Sequence, residues 1–179
     1  MAELLQSIEL LELFFADLVE NLVGLQSENV LLQNRQYGQP SYDDSLVNSA
    51  YVKISPELDE RSIYKFQDFS YNEEEDNFTL TTKSTRTLTL SVIFYGPDCY
   101  ENCFRFNEKM YFNSTKILLE KNYLSLVPDR TNGPTRINEQ HNGQWFSRCD
   151  ILLRFYNGVA IEETVERIKD VDIRLEVDQ

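Results

Sequence analysis

Few side chains in this chain are suited to chemistry. There is one histidine, His141; three cysteines, Cys99, Cys103 and Cys149; and one run of four carboxylates, Glu73-Glu74-Glu75-Asp76. A catalytic histidine needs a nucleophile or a metal beside it. His141 stands in a Gly/Asn-rich stretch, and neither a nucleophile-elbow serine motif nor a His-Glu-x-x-His run occurs. It reads as a surface histidine. Cysteine zinc sites are built from CxxC pairs, whereas Cys99 and Cys103 stand four apart and Cys149 is solitary. Isolated cysteine commonly serves as a small buried hydrophobe, which is the reading taken. The four carboxylates attract cations in principle, but the Gly-bearing calcium-loop pattern is missing, so a solvated turn is expected. No Gly-rich phosphate cradle occurs. The residues therefore offer no catalytic set, no metal site and no cofactor site. A hydrolase working through carboxylates of this region is the weakest functional reading.

The whole chain bounds the rest. Its 179 residues suit one domain, 1–179, with enough length to bury about two-thirds of the unfolded surface. A hydrophobic fraction of 41% with 12% aromatics is globular. Net charge −13 repels nucleic acid and anionic membranes, and no Lys/Arg run offsets it. No apolar run approaches the roughly 20 residues that cross a bilayer. The start, Met-Ala-Glu-Leu-Leu, lacks the basic stretch of a secretory signal, and three cysteines make no disulfide framework. Synthesis in a reducing cytoplasm is expected.

The elements are organised around Thr79–Phe112. From Thr87 to Val92 polar and apolar residues alternate, so Leu88, Leu90 and Val92, with Phe94 in phase, share one face of a strand. Gly96-Pro97 stops it. Asp98 with Glu101 has capping-box spacing, and a helix follows. Its Tyr100, Cys103, Phe104, Asn107 and Tyr111 recur at helical spacing, and this stripe is expected to lie back on Leu90 and Val92.

Before that unit, Ala2–Asn21 reads as an amphipathic helix with a stripe of Leu4, Ile8, Leu11, Phe15, Leu18 and Leu22, ended by Gly24. Leu5, Leu10, Leu13 and Phe14 widen its apolar face. Short strands follow at Val30–Leu32 and Ala50–Ile54, the second ended by Ser55-Pro56. Arg61–Tyr71 and Phe78–Tyr95 form a long hairpin through Asn72–Asn77. Its distal part, Thr79–Arg86, is polar on both faces and is expected to project. After the central helix, Ser114 is placed to cap a helix carrying Ile117, Leu118 and Leu119. Leu124–Val127 is extended, Asp129–Gly143 is a loop, and Trp145–Tyr156 is a strand. Asn157-Gly158 signals a hairpin turn, with Val159–Val165 returning. A bend at Lys169-Asp170 precedes a final strand, Val171–Val177. The fold class is α+β: a mixed, mainly antiparallel sheet, an N-terminal and a central helix packed on it, and a projecting β-hairpin.

The order of these features carries a resemblance. A helix leads to Leu32-Gln33-Asn34-Arg35-Gln36-Tyr37-Gly38-Gln39-Pro40, then to the strand Tyr51-Val52-Lys53-Ile54. A long hairpin ends in Leu88-Thr89-Leu90-Ser91-Val92-Ile93-Phe94-Tyr95-Gly96-Pro97-Asp98, and Trp145-Phe146-Ser147-Arg148-Cys149-Asp150-Ile151 opens the last strands. The chain resembles the neck or tail terminator (tail completion) proteins of long-tailed bacteriophages. The resemblance implies a homo-oligomeric ring of about six copies in the virion. Its partners would be the tail tube protein and the head–tail connector, with DNA passing through the lumen unread. It implies no membrane, no cofactor and no catalytic residue. Within this reading Glu73, Glu74, Glu75, Asp76, Thr81, Lys83 and Arg86 of the hairpin are candidates for a subunit interface or the lumen. The alternative is a small soluble acidic binding or adaptor module without catalysis.

Overall fold

The computed structural model describes residues 7–33, 47–57, 65–72, 77–128, 133–141 and 143–166. Helix α1 spans Ile8–Val19 and ends in a π turn, Glu20–Gly24. Of the expected helix Ala2–Asn21, residues 2–6 lie outside the described residues, and α1 begins at Ile8: Ser7 is extended and its Oγ accepts from the Leu10 amide, an N-cap that starts the helix there. Gly24, at φ +85°, closes it as expected. A short 3-10 turn, Ser27–Asn29, leads to β1 (Val30–Leu32). Then come β2 (Ser49–Glu57), β3 (Lys65–Asn72), β4 (Asn77–Tyr95), α2 (Cys99–Met110), α3 (Asn113–Lys121), β5 (Leu124–Val127), β6 (Thr135–His141) and β7 (Gln144–Glu166).

These strands form one mixed, mostly antiparallel sheet ordered β1-β2-β4-β7-β5, with β3 added to β4 and β6 to β7; β1 and β2 run parallel. Its spine is the β4–β7 pair, in unbroken register from Asn77↔Glu166 to Tyr95↔Arg148. Leu88, Leu90, Val92 and Phe94 share one face, as the alternation predicts. They stand beside Ala50, Val52 and Ile54 of β2 and Cys149, Ile151, Leu153 and Phe155 of β7, and all of these are buried. Helix α1 covers the β1–β2 side and α2 the β4–β7 side. Phe15 meets Phe155 at 4.9 Å between ring centroids, and Phe106 meets Phe94 at 6.0 Å.

Several expectations are corrected. Helix α2 buries Cys99, Asn102, Cys103, Phe106 and Met110, while Tyr100, Phe104 and Tyr111 face solvent. The helix is turned away from the expected stripe because Phe106 and Met110 complete a tighter apolar face with the two cysteines. The capping box does not form. Asn48 stands in its place: its Nδ2 donates to Asp98 Oδ2 (2.8 Å), and its Oδ1 accepts from the Asp98 amide (3.0 Å). Gly96, at φ +105°, lets the chain pass this close, since a Cβ there would come within 2.7 Å of Asn48 Oδ1. Ser114 lies inside α3, whose N-cap position is Phe112.

Strand β2 runs through Ser55-Pro56. The Ile54 amide points away from β4, to Glu12 Oε1 (3.1 Å). Pro56, two residues on, therefore lacks its N–H on that same outer side, where β4 needs no donor. Residues 135–141 of the expected loop form β6, and the turn between His141 and Gln144 uses Gly143 at φ +81°. The hairpin expected at Asn157-Gly158 is absent: β7 runs straight through. Asn157 is buried, takes Arg86 Nε on its Oδ1 (2.7 Å) and donates from Nδ2 to the Tyr123 carbonyl (3.2 Å); the Gly158 amide donates to the same carbonyl (3.0 Å). The side chain that would have shaped a turn pins α3's end to the sheet instead. The tip 73–76, Leu4, Ile63, the loop 34–46 and the strand expected at 171–177 lie outside the described residues.

Candidate assembly surfaces

The groups with chemical potential resolve first. Cys99, Cys103 and Cys149 are all buried free thiols. Cys103 on α2 hydrogen-bonds Cys149 on β7, and burial pushes the Cys103 thiol far above its ordinary value; burial raises Cys99 and Cys149 as well. Such thiols stay protonated and unreactive, as packing groups. His141 closes β6 opposite Gln144. Among the described residues no group of His, Cys, Asp and Glu is arranged to hold a metal ion.

The second region is an arm. Beyond Leu88 the β4–β7 pair continues past the helices, and β3 joins β4 on its other side, making three strands: 65–72, 77–86 and 157–166. The candidates Thr81, Lys83 and Arg86 lie here. Thr81 stands between Asp68 and Glu162, so residues 79–84 have both backbone edges occupied and cannot accept another strand. Lys83 Nζ lies 3.8 Å from Asp68 Oδ2, both well exposed. Arg86 is engaged with Asn157, and desolvation lowers its pKa. Glu73, Glu74, Glu75 and Asp76 connect β3 to β4 but lie outside the described residues.

The arm has an apolar side that reading it as polar on both faces overlooks. Registers Tyr71↔Phe78, Phe69↔Leu80 and Thr82↔Ile161 place these residues on the same face as Leu88 and Leu90. Phe69 is 63% exposed, and Tyr71, Phe78 and Ile161 are exposed too. Phe78 and Leu80 are in phase with Leu88 along the sequence, and that was the available signal.

A third surface lies on the outer side of α2. Tyr100, Phe104 and Phe112 line a groove of about 470 Å3 with Glu101, Arg105, Glu108 and Lys109. Tyr100 and Phe104 stack at 6.4 Å, and Phe104 is 49% exposed. The groove's two cations also tie the helices together: Arg105 donates to the Val23 carbonyl (3.2 Å) and Lys109 to that of Leu22 (2.6 Å), at the C-terminal end of α1's π turn, where positive charge is favoured.

The sheet's other face is ionic. Arg148 pairs side-on with both Asp150 oxygens (2.6 Å each), reaches Glu139 (3.3 Å) and lies over the Tyr95 ring; these partners raise its pKa. Arg154 bonds Glu57 (2.7 Å), which also accepts from Thr89. Here charge is neutralised pair by pair.

Uncovered aromatic faces on a well-packed body mark a protein that works by contact with other macromolecules. The chain belongs to the phage neck terminator protein family, whose model matches residues 9–178. It is thus a structural component of the phage neck, within the virion. No curated protein matches it. No helix among the described residues is long and apolar enough to cross a membrane.

Proposed function

We propose that the chain is the subunit of a closed ring of about six copies that ends the tail tube and joins it to the head connector, with DNA passing through the lumen and no reaction catalysed. The observation that supports this best is the three-stranded arm, which carries Phe69, Tyr71, Phe78 and Ile161 beyond the helix layer into solvent. An isolated adaptor gains nothing from such a surface; a ring subunit covers it. The net charge of −13 suits a conduit through which DNA slides without sticking.

The test is to mix the purified chain with the purified tail tube protein and image the product. Tubes ended by a ring at one end, with growth halted, are the expected result. Tubes of unaltered length, with the chain still monomeric beside them, would sink the reading and leave the adaptor.

Within the ring, Glu73, Glu74, Glu75 and Asp76 are assigned to a neighbour's surface, with Thr81 and Lys83 behind them; Arg86, bonded to Asn157, anchors the arm's root. Changing the four acids to their amides should weaken assembly and its salt sensitivity together. Normal assembly with unaltered salt response, but a channel stickier to DNA, would move the tip to the lumen.

A further inference from the structure

We infer that the outer edge of β7 along the arm is a strand-acceptor site, and that its occupant is the chain's own C-terminal segment 171–177, which lies outside the described residues. Along the body this edge is taken: β6 pairs with residues 144–150 of β7 and β5 with residues 154–157. The last contact on that side is at Gly158, whose amide donates to the Tyr123 carbonyl (3.0 Å). Strand period then turns the N–H and C=O of Ala160 and Thr164 to the same outer side. No strand among the described residues pairs with β7 there, while β4 takes its inner side.

Elsewhere the fold guards such an edge. On β2, past the pairing with β1, Glu12 takes the Ile54 amide and Pro56 has no N–H to offer. Residues 159–166 of β7, Val-Ala-Ile-Glu-Glu-Thr-Val-Glu, contain neither proline nor lysine. Such an edge is built to take a strand.

The chain brings one to the place. Strand β7 ends at Glu166, at the far end of the arm, and residues 167–179 follow directly. Val171, Ile173, Leu175 and Val177 alternate with Asp172, Arg174, Glu176 and Asp178, a strand pattern with one apolar face. The segment 171–177 equals in length the edge 159–165. A return through residues 166–170, a normal hairpin length, sets Ile173 opposite Glu163, Leu175 opposite Ile161 and Val177 opposite Val159. The four apolar residues then continue the face that carries Phe69, Phe78 and Ile161; a slip by one residue would turn them to the polar face. Charge selects this register over its neighbours. Here Arg174 stands across from Glu162, whereas a shift of two residues either way sets Asp172 or Glu176 there, a like-charge pair. The inference does not depend on the ring.

The test uses the full chain, free in solution. Glu163→Cys with Ile173→Cys makes a directly opposed pair at a position without ladder hydrogen bonds, where side chains come close enough for a disulfide. Oxidised glutathione should join the two within one chain, at a yield independent of protein concentration, read by peptide mass mapping. Glu163→Cys with Asp172→Cys, one residue out of phase, should stay reduced. The native thiols are buried and do not compete. Arg174→Pro, which removes a ladder donor, should speed amide exchange at Ala160 and Thr164 and leave Leu90 and Val92 unaltered. Equal bonding at positions 172 and 173, or unaltered exchange in Arg174→Pro, would overturn the inference. So would bonds formed only between chains, which would seat the segment on a second copy instead.

Discussion

The same two strands behave differently at their two ends. From Leu88 to Phe94, β4 pairs with β7 and lies under α1 and α2, and every core-face residue is buried. From Phe78 to Leu80 the pairing is as regular and the face as apolar, yet no helix among the described residues covers it. Hydrogen bonding is therefore not what separates body from arm. The difference lies in burial, which dominates folding free energy. The body buries its apolar face under the helices; the arm extends the body's ladder and leaves its apolar side exposed.

That contrast can be attacked in order of expected effect. Phe106→Ala, at the centre of the core, should cost ~3–5 kcal/mol, whereas Phe104→Ala on the same helix should stay within ~0.5 kcal/mol. Urea titration of both variants decides, and similar midpoints would mean that the helix faces are misassigned. Leu90→Ala should cost ~2–5 kcal/mol against under ~1 for Leu80→Ala; a large loss at Leu80 in the free chain would show that the arm is already covered. Glu12→Ala strips the Ile54 amide of its acceptor inside the body and should cost ~1–3 kcal/mol, read as a fall in thermal midpoint.

The buried thiols add a pH dependence. The folded pKa of Cys103 lies above its unfolded value of about 8.5, so the folded state keeps a proton that the unfolded state releases. Stability is then intact below that pH and falls above it, by up to ~1.4 kcal/mol per pH unit for each such thiol. Thermal melts from about pH 8 to pH 10 should show a shallower decline in Cys103→Ala than in the wild type; parallel declines would remove the thiol from the account. The smallest effect belongs to the arm. Lys83→Ala breaks an exposed pair with Asp68 and should change stability by less than ~1 kcal/mol. Hydrogen exchange in β3 should be nearly unaltered, and a melted arm would contradict this.

Legibility in the sequence follows the same division. Leu88, Leu90, Val92 and Phe94 were readable because strand period and burial agree there. The helix after Gly96 was readable too, but not its rotation: Tyr100 and Phe104 form as good a stripe as Cys103 and Phe106, and only the shape of the core chooses between them. The Asn-Gly signal occurs three times, at Asn132-Gly133, Asn142-Gly143 and Asn157-Gly158. At Asn142-Gly143 the sheet reverses between His141 and Gln144. At Asn157-Gly158 contacts to Arg86 and Tyr123 override it. Those contacts join residues far apart in the chain, as does the pairing of Asn48 with Asp98. Local pattern is blind to them, and for the same reason the arm's surface looked merely polar until the register was known.

The unbroken register of β4 with β7 also has a mechanical meaning. The chain is a phage neck component, and its arm is a lever of paired strands reaching past the helices. A pull along the strands loads many backbone hydrogen bonds in shear at once, because no bulge or turn interrupts the pair between Asn77 and Tyr95. A pull across them, at the tip, opens the bonds one after another like a zip. The subunit is therefore stiff in one direction and yielding in another, and the fastening of Asn157 and Gly158 to the Tyr123 carbonyl is the rivet at which peeling from the tip must stop.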